Sequence, residues 1–387
     1  MNTRALALFL AALLAALAGC ASVEQRAERN EKDLLNARHN DDLERGNELR
    51  RLTDKLIAYV AQKPRPTIDV LVISGGGDWG AFGAGVLKGW NRVKGAMARP
   101  QFDIVTGVST GALIAPFAFL GDDEAIERIV HLYRNPQPDT AVSRGWLFFL
   151  PDNPSFYVLP GLERELKAAL DRPMLERIAA NGAGGRALLV NTTNIDFGQM
   201  KAWDIVAECR KAVAGGDDER VRQILLASAG IPGAFPARDI GVHLYVDGAI
   251  TGNILYGGRV NEDESLLSIW GATYPDQPLP RIRYWVIFNN QIRFPPEIVK
   301  PRWPDIMARA TIMSTQTSTL NSIRHLYARA EIDRLKRKAD VEVRLISVPE
   351  DWVPSQPGTF VKEVMNDLAD LGEKMGADPK SWRTEAP

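Results

Sequence analysis

The run Phe102-Asp103-Ile104-Val105 feeds through Gly107-Val108-Ser109-Thr110-Gly111 into the helix-prone Ala112-Leu113-Ile114-Ala115. A strand that passes into a helix through Gly-x-Ser-x-Gly makes a turn so tight that the serine is strained outward. The two backbones nearly touch there, so Gly107 and Gly111 must lack bulk. A turn of this kind commits the chain to a sheet with helices packed on it. The pentapeptide alone also fits an ordinary turn, and its neighbours decide the case.

The first neighbour is Gly75-Gly76-Gly77-Asp78-Trp79-Gly80, after the apolar run Val70-Leu71-Val72-Ile73. Glycines leave backbone N–H groups bare and free to converge on an anion at the start of a helix. Acyl transfer needs such donors where the tetrahedral intermediate develops its negative oxygen. The stretch also satisfies G-x-G-x-x-G, the dinucleotide fingerprint. That alternative wants an acidic residue ending the second strand, about 20 residues on. Asp103 lies at about that distance but precedes the apolar core of its strand.

The second neighbour is Asp247-Gly248-Ala249, after the strand-like Val242-His243-Leu244-Tyr245-Val246. A serine hydroxyl needs a base. The chain has four histidines, none with an evident carboxylate partner in the sequence. His39 lies in a charged helical stretch, His131 and His325 inside helix-like segments, and His243 near the start of its strand. Asp247 at a strand end is the better base, since a carboxylate can take the proton directly. Asp-Gly alone is equally a hairpin turn.

With these pieces the chain resembles the patatin-like phospholipases. That family carries, in order, a glycine-rich loop, Gly-x-Ser-x-Gly, a segment of small residues and proline, and Asp-Gly-Gly or Asp-Gly-Ala. The third block here is Ala227-Ser228-Ala229-Gly230-Ile231-Pro232-Gly233-Ala234-Phe235-Pro236. The resemblance spans roughly residues 66–348. It implies a three-layer α/β/α fold with a mostly parallel central sheet. It also implies a Ser109–Asp247 dyad, an oxyanion hole from the backbone of Gly75, Gly76 and Gly77, and no cofactor, histidine or metal. One position departs: the family often has Arg or Lys just before the loop's last glycine, and Trp79 stands here.

The amino terminus points to a compartment. Arg4 precedes an uncharged Ala/Leu-rich run to Ala18, too short to span a bilayer but suited to a signal-peptide core. Leu17-Ala18-Gly19-Cys20 then resembles a bacterial lipobox, which makes Cys20 the lipidated first residue of the mature protein. With Ala21 and Ser22 following, the resemblance implies an outer-membrane lipoprotein, on the periplasmic side. The alternative is an ordinary secretory signal with an incidental cysteine. Cys209 is the only other cysteine, so processing leaves no internal disulfide.

A formal net charge of −1 and a pI near 6.5 argue against nucleic acid as partner and against bulk electrostatic binding to membranes. Residues 20–65 are charge-dense and helix-prone. Leu49, Leu52, Leu56 and Val60 predict that the second half docks on the body, while the first half reads as a tether. Thereafter strands alternate with helices: 68–74, 80–93, 102–106, 110–120 and 124–133, then 187–193, 219–229, 284–289, a long helix within 304–338, and 341–346. This predicts a mostly parallel sheet with helices on both faces and the site at strand carboxyl ends. The hydrolase domain is expected over residues 66–350, followed by a helix at 361–374 and a loose tail. Residues 145–151 and 156–160 are dense in large apolar side chains, fitting core packing, a wall of the acyl channel, or a surface that dips into lipid. The expected activity is lipid acyl hydrolysis, of membrane phospholipid or another fatty-acyl ester. A lysophospholipase or thioesterase with the same dyad, or a non-catalytic anchored binding lipoprotein, are the alternatives. Protein partners are not readable.

Overall fold

The computed structural model describes residue 26 and residues 30–145, 153–257 and 265–387. Cys20, the signal-like segment and residues 146–151 lie outside the described residues. Along the chain run α1 (Glu31–Val60), β1 (Thr67–Ile73), α2 (Gly80–Trp90), β2 (Ile104–Val108), α3 (Thr110–Leu120), α4 (Asp123–Arg134), β3 (Val142–Ser143) and β4 (Tyr157–Val158). Then come α5 (Pro160–Ala169), α6 (Arg172–Asn181), β5 (Ala187–Asn194), β6 (Gln199–Asp204), α7 (Ile205–Val213) and α8 (Asp218–Ser228). The last are β7 (Arg238–Ile240), β8 (His243–Asp247), α9 (Leu266–Thr273), β9 (Arg281–Gln291), α10 (Trp303–Arg337), β10 (Val341–Val348) and α11 (Lys362–Gly376).

The central sheet has the order β10-β9-β1-β2-β5-β8-β7, with β6 on the far edge of β5. Strands β10, β9, β1, β2 and β5 run parallel, and β6, β8 and β7 are antiparallel additions. Alternation divides β1 between two cores: Leu71 and Ile73 face one, Ile68, Val70 and Val72 the other. Helices α2–α8 and α11 cover the first face, and α1, α9 and α10 the second. This is a three-layer α/β/α fold with a mixed, mostly parallel sheet.

Two segments differ from their expected looseness. The first half of α1 is fastened by polar contacts, with Lys201 donating to Asp41 at 2.7 Å and Arg45 to the Met200 carbonyl at 2.7 Å. Beyond α11, Leu345 and Arg383 exchange two backbone hydrogen bonds of 2.9 Å, and Trp382 is buried against Trp90 and Trp285. Neither tie shows in local patterning, because each partner lies far away in the chain.

Candidate active site

One edge of β5 carries two different strands end to end. Over its first half that edge pairs with β2 in parallel, ending at Val108 opposite Asn191. Over Thr192, Thr193 and Asn194 it pairs with β8 antiparallel, ending at Asp247 opposite Thr192. β2 and β8 therefore meet head-on at their carboxyl ends, and the residues that meet are Ser109 and Asp247.

Ser109 has φ 54° and ψ −125°, a left-handed conformation that strains any side chain. The glycines of its turn are sterically required. A Cβ on Gly107 would lie 2.2 Å from the Gly111 carbonyl oxygen, and one on Gly111 would lie 2.3 Å from that of Ile73. Gly248 is equally confined, 2.3 Å from the Asn191 carbonyl oxygen. The Ser109 amide donates to Ser228 Oγ at 2.9 Å, and that hydroxyl donates to the Asn191 carbonyl at 2.6 Å. Asn191 Nδ2 donates to the carbonyls of Gly248 and Gly252, both at 2.9 Å. One asparagine and one serine thus tie the serine turn to the aspartate turn. The motif reading missed both, although Ser228 lies inside the third block.

Asp247 is buried. Its Oδ1 accepts from the Ala249 amide at 2.8 Å, while Oδ2 has no partner of good hydrogen-bond geometry. Burial pushes the carboxyl up to about 7, against smaller opposing pulls from the Ala249 amide and the Ser109 hydroxyl. The serine thus acts on this carboxylate at a looser approach than a formed hydrogen bond, as is common before substrate arrives. Among the described residues no histidine bonds to either group. His243 faces Asp196, His325 faces Tyr256 and His131 faces Asn135.

The glycine loop follows β1 directly. Asn289 clamps it, its amide donating to Ser74 Oγ at 2.9 Å and its side chain to the Ser74 carbonyl at 2.8 Å. Gly75 differs from expectation: its amide already donates to Asn253 Oδ1 at 2.9 Å, so it is not free for an oxyanion. The amides of Gly76 and Gly77 have no protein acceptor among the described residues, nor has that of Thr110 at the start of α3. Gly77 (φ 61°), Ser109 and Thr110 share the cleft wall. Trp79 packs edge-on against Trp352, ring centres 5.0 Å apart. Asp78 Oδ2 accepts from the Phe360 amide at 2.9 Å, which holds Phe360 at the cleft.

From Ser109 the cleft runs between α3, α4 and α5 and is partly open to solvent. Leu113, Phe117, Ile129, Leu166, Phe235 and Met365 make it apolar. Leu132 and Glu165 line both this cleft and a second, more polar cavity with His131 and Gln137. Burial raises the Glu165 carboxyl above its ordinary range. The aromatic run 156–160 is not part of this wall. Phe156 and Tyr157 instead donate their amides to the carbonyls of Gly233 and Ala234 at 2.8 and 2.9 Å, buttressing the loop that carries Phe235.

Such a site, an outward-strained serine beside a buried carboxylate at the head of an apolar channel, suits attack on a fatty-acyl ester. The patatin-like phospholipase family model matches residues 71–257, which hold all four blocks and the elements that join them. The chain carries a patatin-like phospholipase domain. No curated protein matches the sequence. Among solved structures it is similar to the crystal structure of VipD from Legionella pneumophila, with a TM-score of 0.37 and 11% identity over 82% of this chain and 68% of that one. The patatin-like domain supports lipid acyl hydrolysis in the broad sense, on lipid esters. Among the described residues, no three His, Cys, Asp or Glu side chains cluster as metal ligands.

Proposed function

We propose that this is a phospholipase A-type hydrolase acting through Ser109 and Asp247. The unpartnered, buried Oδ2 of Asp247 beside the strained serine carries the reading. In the first half-reaction Ser109 Oγ bonds to the ester carbonyl carbon and passes its proton to Asp247. The carbonyl oxygen becomes an oxyanion facing the free amides of Gly76 and Gly77. Removing one such donor typically costs about 3–4 kcal/mol of barrier. The C–O bond of the alcohol then breaks, and Asp247 returns the proton to the leaving alkoxide. In the second half-reaction water attacks the acyl-serine, Asp247 takes the water proton, and collapse frees the fatty acid and restores Ser109. The apolar cleft supports a fatty-acyl chain as the group held. Cys20, as a lipidated residue, would tether the enzyme to the outer membrane, and several acyl chains hold where one alone does not.

The test is covalent labelling by a fluorophosphonate together with hydrolysis of mixed phospholipids. Ser109→Ala loses both, and Asp247→Asn keeps the fold but loses turnover by at least about a thousandfold. Near-normal turnover in Asp247→Asn would sink the dyad. Radiolabelled palmitate entering wild type and not Cys20→Ser tests the anchor separately.

A further inference from the structure

Helix α10 is one unbroken helix of 35 residues, but only its second part enters the core. Before Gln316 its contacts are those of Arg309, which donates to the Pro295 carbonyl at 2.8 Å, pairs with Glu297 at 3.0 Å and covers the Phe294 ring. From Gln316 onward it is seated: Gln316 donates to the Gln291 carbonyl, Thr319 accepts from Asn253 at 3.0 Å, and Leu320, Ile323 and Leu326 enter the core. Gln291 ends β9, and Asn253 holds the glycine loop, so this is the level of the candidate site. The C-terminal part then descends beside the sheet to β10. The thirteen residues before Gln316 therefore rise about 20 Å beyond the strand ends that carry Ser109.

That projecting part is apolar where a surface helix should be polar. Trp303, Ile306, Met307, Ala310 and Met313 are all exposed, Trp303 by 75%, and their spacing forms one stripe. Ile298, in the segment leading in, is fully exposed. Other exposed apolar side chains lie at the same end: Ile195 just past β5, Ile250 just past β8 and Val353 just past β10. Of the basic side chains in residues 292–315, Arg302 pairs with Asp305 at 2.7 Å, Arg309 with Glu297 at 3.0 Å and Arg293 with Glu350 at 3.7 Å. This surface is therefore close to neutral, with Lys300 as its extra positive charge.

The chain's amino-terminal side emerges at this end too. Arg26 forks onto Asp196 at 2.7 and 2.6 Å and donates to the Val242 carbonyl at 3.1 Å, beyond the carboxyl end of β5. Cys20 is six residues earlier, within about 20 Å of that point however the chain runs.

We propose that this end docks on a lipid bilayer, with the α10 stripe and Ile298 dipping into the interface and the Ser109 cleft turned toward the lipid. Apolar insertion gives a body of near-zero net charge a hold on the interface that needs no strong surface charge, with Lys300 beside the stripe to meet anionic headgroups. Arg26 and the stripe share one end, so a lipid on Cys20, should it be attached, and the stripe can engage one membrane at once. Among the described residues no helix is long and apolar enough to cross a membrane, which is consistent with a helix that dips rather than spans. The stripe's exposure and position do not depend on whether Ser109 and Asp247 act as a dyad.

The test uses the mature chain from residue 20, made as Cys20→Ser so that no acyl anchor contributes, floated with vesicles of phosphatidylethanolamine and phosphatidylglycerol. The intact stripe co-floats. Adding Trp303→Ser, Ile306→Ser and Met307→Ser lowers the bound fraction about tenfold or more, while hydrolysis of a water-soluble short-chain ester is unchanged because these residues lie outside the cleft. Failure of the intact protein to float, or equal flotation of both, overturns the proposal. So does loss of self-association with flotation unchanged, which would make the stripe a contact between copies. Should neither protein cleave the soluble ester, the hydrolase reading fails and flotation still decides the docking.

Discussion

Asp247 must be ionised to accept a proton, yet its surroundings resist its charge. Its carboxyl sits at about 7 because burial outweighs the single amide that supports the anion. The ionised fraction therefore falls tenfold per pH unit below that value, and kcat/KM for a soluble ester should fall with it, levelling above about pH 7. An apparent pKa near the ordinary 3.8 would show that Asp247 is not the base. The same burial has a stability sign. Between roughly pH 4 and 7 the folded state holds a proton that the unfolded chain has released, so stability falls as pH rises through that window. Asp247→Asn, neutral throughout, should exceed wild type above pH 7 by on the order of 2–4 kcal/mol, with the gain vanishing near pH 4. Denaturant unfolding at the two pH values reads it. Ser109 and Asp247 were legible because a strained turn and a strand end each leave a local signature. Asn191, Asn253 and Asn289 were not, since a buried asparagine inside a strand or loop looks the same in sequence whichever backbone it ties down. Gly75 shows the reverse error: glycine advertises a bare amide, but not the distant Asn253 that claims it.

At the scale of elements, α4 and α5 decide what the cleft can hold. They contribute Ile129, Leu132, Leu162, Glu165 and Leu166, and Leu132 and Glu165, which line the second cavity too, form a partition between the two. Leu132→Ala should remove part of that partition and let a longer chain through. One or two methylenes are worth about 1–3 kcal/mol in an apolar pocket. The kcat/KM ratio of a long-chain to a shorter-chain ester should accordingly rise about tenfold, measured across a homologous ester series. An unchanged ratio would put the chain elsewhere. These helices differ in how readily sequence exposes them. α4 repeats its apolar positions over three turns and was expected at 124–133. α5 and α6 were not anticipated, because each holds its spacing for little more than two turns beside a proline. β6 was missed for a different reason: its buried positions include Lys201, which goes inside only because Asp41 reaches it from α1. A strand whose inward face carries a lysine does not look amphipathic until its distant partner is known.

At the scale of the molecule, the site depends on chain well beyond the family match. The two strands beside β1 on its outer side, β9 and β10, come from after residue 257, and so do Asn289, Phe360 and Met365 around the cleft. Helix α11 lies so close on α2 that a Cβ on Gly85 would approach the Ala369 carbonyl oxygen to 2.2 Å, and one on Gly372 that of Phe82 to 2.1 Å. α2 begins where the glycine loop ends, so the carboxyl-terminal segment bears directly on that loop. The final residues lock that segment in. Trp382 packs on Trp90 with ring centres 4.4 Å apart and on Trp285 at 5.3 Å, while its neighbour Arg383 pairs with Leu345 of β10. Trp90 ends α2 and Trp285 lies mid-strand in β9, so this one indole joins a helix, a strand and the tail. Trp382→Ala should therefore cost about 3–5 kcal/mol of unfolding free energy, the range for a buried large aromatic. Removing residues 378–387 should cost at least as much. Both should lower the thermal midpoint while leaving soluble-ester turnover near normal well below it, since no atom of Trp382 lines the cleft. A midpoint unmoved by either change would mean that the tail only rests on the body, and that the glycine-packed pair of α2 and α11 holds the loop without it.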